Sequence, residues 1–175
     1  MELIWKLYLV SCSSMQKTKA IILLRKNINE ADKLIFLYSL NFGKLVLVAR
    51  GLRKAKAKMA SHLEIFNLSD IIIAGKTITN AQVINSFENL RINLEILEKA
   101  HYITSLINEF TAEADSDQNI FMLLKSTLEK LNSYENNIQN IMHSFEQQFI
   151  SLLGIEPLNK NHNINIRDYI KHTLA

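Results

Sequence analysis

Over residues 17–85 the apolar positions come in short runs, broken by charged or turn-forming residues. Residues 20–24 (Ala20-Ile21-Ile22-Leu23-Leu24) form one such run, with Lys17 and Lys19 before it and Arg25 and Lys26 after it. Asp32–Ser39 is a second, carrying Leu34, Ile35, Phe36, Leu37 and Tyr38. Asn41-Phe42-Gly43-Lys44 reads as a turn, because Gly43 takes a positive φ at no steric cost. Residues 44–50 alternate, with Leu45, Leu47 and Ala49 on one side and Val46 and Val48 on the other. A Val- and Leu-rich run of this kind predicts a strand buried on much of both faces. Residues 63–74 and, after Gly75, residues 78–86 complete the series, the last with Ile78, Ala81, Val83 and Ile84 as its apolar positions.

After Phe87 the period becomes helical. Ile96, Leu97, Ala100, Ile103, Ile107 and Phe110 step by three and four and share one helix face. The acidic run Glu113, Asp115, Asp117 marks a boundary and suits the N-terminus of the next helix. That helix carries Ile120, Phe121, Leu124, Thr127, Leu128 and Leu131 on one face. Residues 133–137 (SYENN) read as a loop or a frayed helix start. A longer stripe follows through Ile138, Ile141, Met142, Phe145, Phe149, Leu152 and Leu153, stopped by Gly154 and Pro157. Residues 159–165 form a polar loop, and 167–174 a short final helix. The predicted class is mixed β and α, a five-stranded barrel followed by an all-α unit. Five strands in about 70 residues match the OB-fold, whose strand face and loops bind oligonucleotides. The division is a barrel over 15–87 and helices over 88–175, with 1–14 an extension or a mis-called start.

Composition agrees with a packed protein: 48% of the 175 residues are hydrophobic and 21% charged, and four Gly and one Pro leave little room for linkers. The net charge of +3 conceals an asymmetry. Residues 17–58 hold eleven Lys/Arg against two acids, whereas residues 88–150 hold four against ten. Within the first stretch, Arg50, Arg53, Lys54, Lys56 and Lys58 place five cations in nine residues, and no acid lies between Lys33 and His62. Such a loop repels itself unless a polyanion lies against it, and nucleic acid is the commonest polyanion. Aromatic residues interleave with these cations. Phe36, inside an unbroken apolar run, is expected in the core, while Tyr38 and Phe42 border the turn and are the candidates for base stacking.

Other chemistries find little support. No GxGxxG, P-loop, HExxH or nucleophile-elbow pattern occurs. His62, His101, His143, His162 and His172 are scattered, and Glu30 and Asp32 stand without a companion base or nucleophile. The single cysteine, Cys12, allows no internal disulfide and no cysteine-based zinc site. A reducing, cytoplasmic setting fits that usage. Leu9-Val10-Ser11-Cys12 has the look of a lipoprotein processing box, but Lys6 leaves only four apolar residues before Ser11, too few for a signal sequence.

Taken in order, the pieces resemble the RecO family of bacterial recombination mediators: KTKAIILLR, NEADKL, NFGK, VARGLRKAKAK, SHLEIFNLSDIII and TITNAQVINSFENLR over the barrel, then AHYITSLINEF, NIFMLLKSTLEKLN and FEQQFISLLGIEPL over the helices. The resemblance implies an N-terminal OB domain packed on helices, no catalytic activity and no cofactor. It implies binding of single- and double-stranded DNA, strand annealing, and partnership with RecR, the single-stranded DNA-binding protein and, indirectly, RecA, in the cytoplasm at the nucleoid and away from membranes. Carried over by residue, the DNA-contact set is Arg50, Arg53, Lys54, Lys56 and Lys58, with Lys44 beside the turn and Lys17, Lys19 and Arg25 on the first strand. Many members carry a four-cysteine zinc module after the stretch matching LLGIEPL. Here NKNHNIN follows without a cysteine, so no metal is expected. Two rival readings of the same residues are an OB module for RNA, and an adaptor whose helices bind proteins while the basic loop is idle.

Overall fold

A computed structural model describes residues 15–133, 137–156 and 165–174. The Cys12 box, Pro157, His162 and most of the polar loop therefore lie outside the described residues. Five strands close into a barrel in the order β1-β2-β3-β5-β4. They are β1 (Gln16–Ile28), β2 (Asp32–Ser39), β3 (Gly43–Ala49), β4 (Leu68–Ala74) and β5 (Thr77–Asn85). All pairings are antiparallel except β3 with β5, which meet in parallel at Val48 and Thr77. This is the OB-fold expected from the strand pattern.

The inner cluster takes alternate residues from four strands, Ala20 and Ile22, Ile35 and Leu37, Leu45, Leu47 and Ala49, Ile71 and Ile73, and from β5 Ile78 and Ala81, which are three apart because the β4–β5 register shifts between Ile72 and Ile73. A second cluster lies outside the barrel, where Ile21, Leu23, Tyr38, Phe66 and Leu68 meet the helices. β1 serves both by alternation, with Ala20 and Ile22 pointing inward and Ile21 and Leu23 outward, until its register shifts between Ile22 and Leu24. The bulge also reverses the parity beyond it, so that Arg25 pairs with inward-facing Ile35.

Three expectations are corrected. β4 begins at Leu68 rather than at 63. Leu63 instead fills the inner cluster, and Phe66 takes a left-handed φ of 74° that no strand tolerates. On β3, Val46 and Val48 are half-buried, so only the Leu45, Leu47 and Ala49 face is fully covered. Phe36 faces outward, half-buried, rather than into the barrel.

A 3-10 turn (Glu88–Arg91) leads to α1 (Leu94–Phe110), α2 (Gln118–Asn132), α3 (Ile138–Leu152) and α4 (Ile166–Leu174). Asn93 caps α1 through bonds from the Glu95 and Ile96 amides, and Asp117 caps α2 through a 2.7 Å bond from the Asn119 amide. Ile96, Ala100, Ile103 and Ile107 bury the α1 face, and all six apolar positions expected on α2 are buried. α3 buries Met142, Phe145, Phe149 and Ile150, with Phe145 and Phe149 stacked at 5.6 Å. No helix among the described residues is long and apolar enough to cross a membrane.

The α1–α2 connection docks on the β2–β3 turn. The Ala114 amide donates to the Lys44 carbonyl at 2.9 Å, and Lys44 Nζ donates to the Asn108 carbonyl at 2.9 Å. Asn108 is in the last turn of α1, whose carbonyls have no helical partner, so Lys44 satisfies one of them. A side chain at Gly43 would place Cβ 2.0 Å from the Asp115 carbonyl oxygen.

Candidate nucleic-acid interface

Three connections meet at one end of the barrel. The β2–β3 register pairs Lys33 with Ala49, bringing the β1–β2 turn beside the segment that follows β3. The Arg53 amide donates to the Ala31 carbonyl at 2.9 Å, and its guanidinium to the Asn29 carbonyl at 2.8 Å. Asp32 Oδ1 accepts the Gly51 amide at 2.8 Å, so this half-buried carboxylate anchors the loop. From the other side, the Val48 amide donates to the Lys76 carbonyl at 2.9 Å, which adds the β4–β5 turn.

The basic segment between β3 and β4 is built rather than loose. Lys54, Ala57 and Ala60 amides each donate to the carbonyl three residues earlier, giving successive turns. Leu52 and Leu63 sink into the inner cluster and pin the segment to the barrel. Arg50, Arg53, Lys54, Lys56 and Lys58 are thereby all exposed, and no carboxylate among the described residues forms an ion pair with any of them. Exposed Lys76 joins them, a residue that is remote in sequence and arrives only through barrel closure.

From this end the outer face of β1, β2 and β3 extends as a half-buried apolar surface. The register sets Leu24, Phe36 and Val46 in one row, and Lys26, Leu34 and Val48 in the next. Lys26 Nζ lies 5.3 Å from the Phe36 ring centroid. Phe36 is thus the aromatic side chain on the face where an OB barrel receives a strand. Its position at i+2 from Leu34 and i−2 from Tyr38 was readable, but an unbroken apolar run does not say which parity points inward.

The remaining residues of the predicted set lie elsewhere. Lys17 and Lys19 are on the β1–β4 side, with Lys17 paired to Asp70 at 3.3 Å. Arg25 grips Glu64 with both terminal nitrogens, one bond at 2.8 Å, and its side chain is 16% exposed. Lys44 is half-buried at the junction with the helices. Burial lowers its pKa, against an opposing pull from Glu113. Tyr38 is fully buried, its hydroxyl 3.3 Å from both the amide and the carbonyl of Asp117, and it has no face to offer a base. Desolvation raises its pKa to about 12. Phe42 packs half-buried on the inner cluster, at the end of β3 away from the basic loop.

On the helical half, α1 and α3 border a groove of about 470 Å³, lined by Glu98, Lys99, Tyr102, Gln139, Met142, His143 and Glu146. Tyr102 donates to Glu146 Oε1 at 2.9 Å across it. Among the described residues no group of three His, Cys, Asp or Glu side chains is placed to hold a metal ion.

Residues 14–91 match the family model for the recombination protein O N terminal, and residues 93–162 match that for its C terminal. Among curated relatives, the DNA repair protein RecO of Dehalococcoides mccartyi strain 195 is 34% identical over 145 residues, covering 81% of this chain and 57% of the relative. Those of Desulforamulus reducens and Chloroherpeton thalassium are 32% and 33% identical over 145 residues, with 56% of each relative covered and 81% and 79% of this chain. The chain spans little more than half the length of these relatives.

Proposed function

Since the chain belongs to the recombination protein O family of DNA repair proteins, we propose that it is a non-catalytic mediator that binds single- and double-stranded DNA and promotes annealing of complementary strands. The observation that carries this reading is the built loop of Arg50, Arg53, Lys54, Lys56 and Lys58, exposed at the barrel end with no carboxylate partner among the described residues. Two strands approaching each other carry one charge per phosphate. Cations that displace their counterions lower the mutual repulsion, and pairing then needs no chemistry from the protein. The neighbouring apolar face with Phe36 holds bases out of solvent by stacking and contact while their pairing edges stay free.

In the same reading the helices recruit RecR and the single-stranded DNA-binding protein, and the assembly loads RecA. The test is a strand-annealing assay with complementary oligonucleotides at several salt concentrations, with and without RecR. Annealing that falls steeply with salt and responds to RecR supports the proposal. A rate equal to the protein-free control at low salt overturns it.

A further inference from the structure

Among the described residues, the two central rows on the outer face of β1–β3 carry no hydroxyl, amide or carboxylate to read a sugar or a base edge. These rows are Leu24, Phe36, Val46 and Lys26, Leu34, Val48, so every side chain there is aliphatic, aromatic or cationic. Asp32 and Ile28 make up the next row, at the edge of the face, where Asp32 Oδ1 accepts the Gly51 amide. Beyond Val48 the face ends on β5 at Thr77. Beyond Val46, the Lys44 ammonium is held by the Asn108 carbonyl.

Telling RNA from DNA needs a donor or acceptor aimed at the 2′-hydroxyl, and telling one base from another needs hydrogen bonds to its edge. A phenyl ring offers only a π-face, which every base shares, and an ammonium on a flexible stem acts chiefly as a point charge toward the phosphate, which both polymers share.

Resting on the reading that this face receives the strand, we propose that the protein grips single-stranded RNA and single-stranded DNA equally, and that it stacks one base, on Phe36, in exchange for Lys26. In the free protein the Lys26 ammonium covers the ring at 5.3 Å. An arriving base takes that position, and the displaced ammonium, on the adjoining strand, turns to the flanking phosphate. The substrate class of this site is therefore single-stranded nucleic acid of either sugar.

The experiment is fluorescence anisotropy of the full chain with mixed-sequence 20-mers of DNA and RNA of the same sequence, at one salt concentration. Dissociation constants within about threefold of each other are expected, since no described side chain of the two central rows distinguishes the two sugars. Phe36→Leu keeps the apolar volume but removes the stacking surface. It should weaken both polymers by the same factor, on the order of tenfold. Lys26→Met, which keeps the ring, should flatten the salt dependence of both, by about 0.7 in log–log slope. Should RNA bind more than tenfold weaker or tighter than DNA, or should Phe36→Leu affect one polymer only, the inference fails while the DNA-binding reading stands. Binding of neither polymer overturns both.

Discussion

Gly43 and Gly75 form an internal experiment on how the barrel is joined to the helices. Both have a left-handed backbone, with φ of 64° and 58°. A Cβ at Gly75 meets nothing within 4 Å, whereas at Gly43 it would lie 2.0 Å from the Asp115 carbonyl oxygen. Gly75→Ala should therefore cost only the left-handed penalty, about 1–2 kcal/mol. Gly43→Ala bears that penalty and must also push the α1–α2 connection off the turn. The Ala114 amide bond to Lys44, about 1 kcal/mol net, and the charged bond from Lys44 Nζ to Asn108, about 2 kcal/mol, are then strained or lost. The difference between the two variants should be about 2–4 kcal/mol. For a chain of this size that is a further fall in melting temperature of roughly 5–15 °C. Urea and thermal unfolding followed by circular dichroism measure it. Because the obstructing atom belongs to the Asp115 backbone, Asp115→Ala in the Gly43→Ala background should restore nothing. Equal destabilisation by the two glycine variants, or rescue by Asp115→Ala, would refute the docked connection.

Arg25→Ala should lower stability by about 1–2 kcal/mol, since it removes a two-pronged pair whose Glu64 partner keeps 44% of its surface in water. It should leave the salt dependence of DNA binding unchanged, and a shallower slope would return Arg25 to the DNA contacts. Burial raises the pKa of Tyr38 to about 12, and burial together with Glu146 raises that of Tyr102. The folded chain thus keeps these phenol protons when the unfolded chain, titrating near 10.0, has released them. The unfolded state then binds fewer protons, so stability falls as pH rises above about 10, and the Tyr38 share of the loss is complete near the folded value. Urea midpoints at pH 9 and 11 should show a fall that shrinks in the Tyr38→Phe, Tyr102→Phe double variant; an undiminished fall would contradict the burial argument.

Where clear turn signals bound an apolar run, or apolar residues step by three and four, the element itself was legible. β2 runs over Asp32–Ser39 as read, α2 buries all six positions named for it, and α1 buries four of its six, with Leu97 and Phe110 half-buried. The charge on residues 50–58 was legible too, because no acid in the segment could neutralise it and none arrives from elsewhere among the described residues. Parity was the difficulty. Five consecutive apolar residues at 34–38 do not reveal that Phe36 and Tyr38 both face outward, nor that the helices cover Tyr38 and leave Phe36 half open. Arg25 depended on a bulge, Lys44 on a helix docking from sixty residues away, and Lys76 on a single parallel bridge between β3 and β5. Each of these is a tertiary event with no local signature.

The central claim is that the basic loop meets phosphates, and the slope of log affinity against log salt for single-stranded DNA measures it. The intact chain and the Arg53→Ala, Lys54→Ala, Lys56→Ala triple variant should have slopes differing by about 2, since each phosphate contact on a single strand contributes about 0.7. The same slope in both proteins would show that these three cations touch no phosphate, and would contradict it.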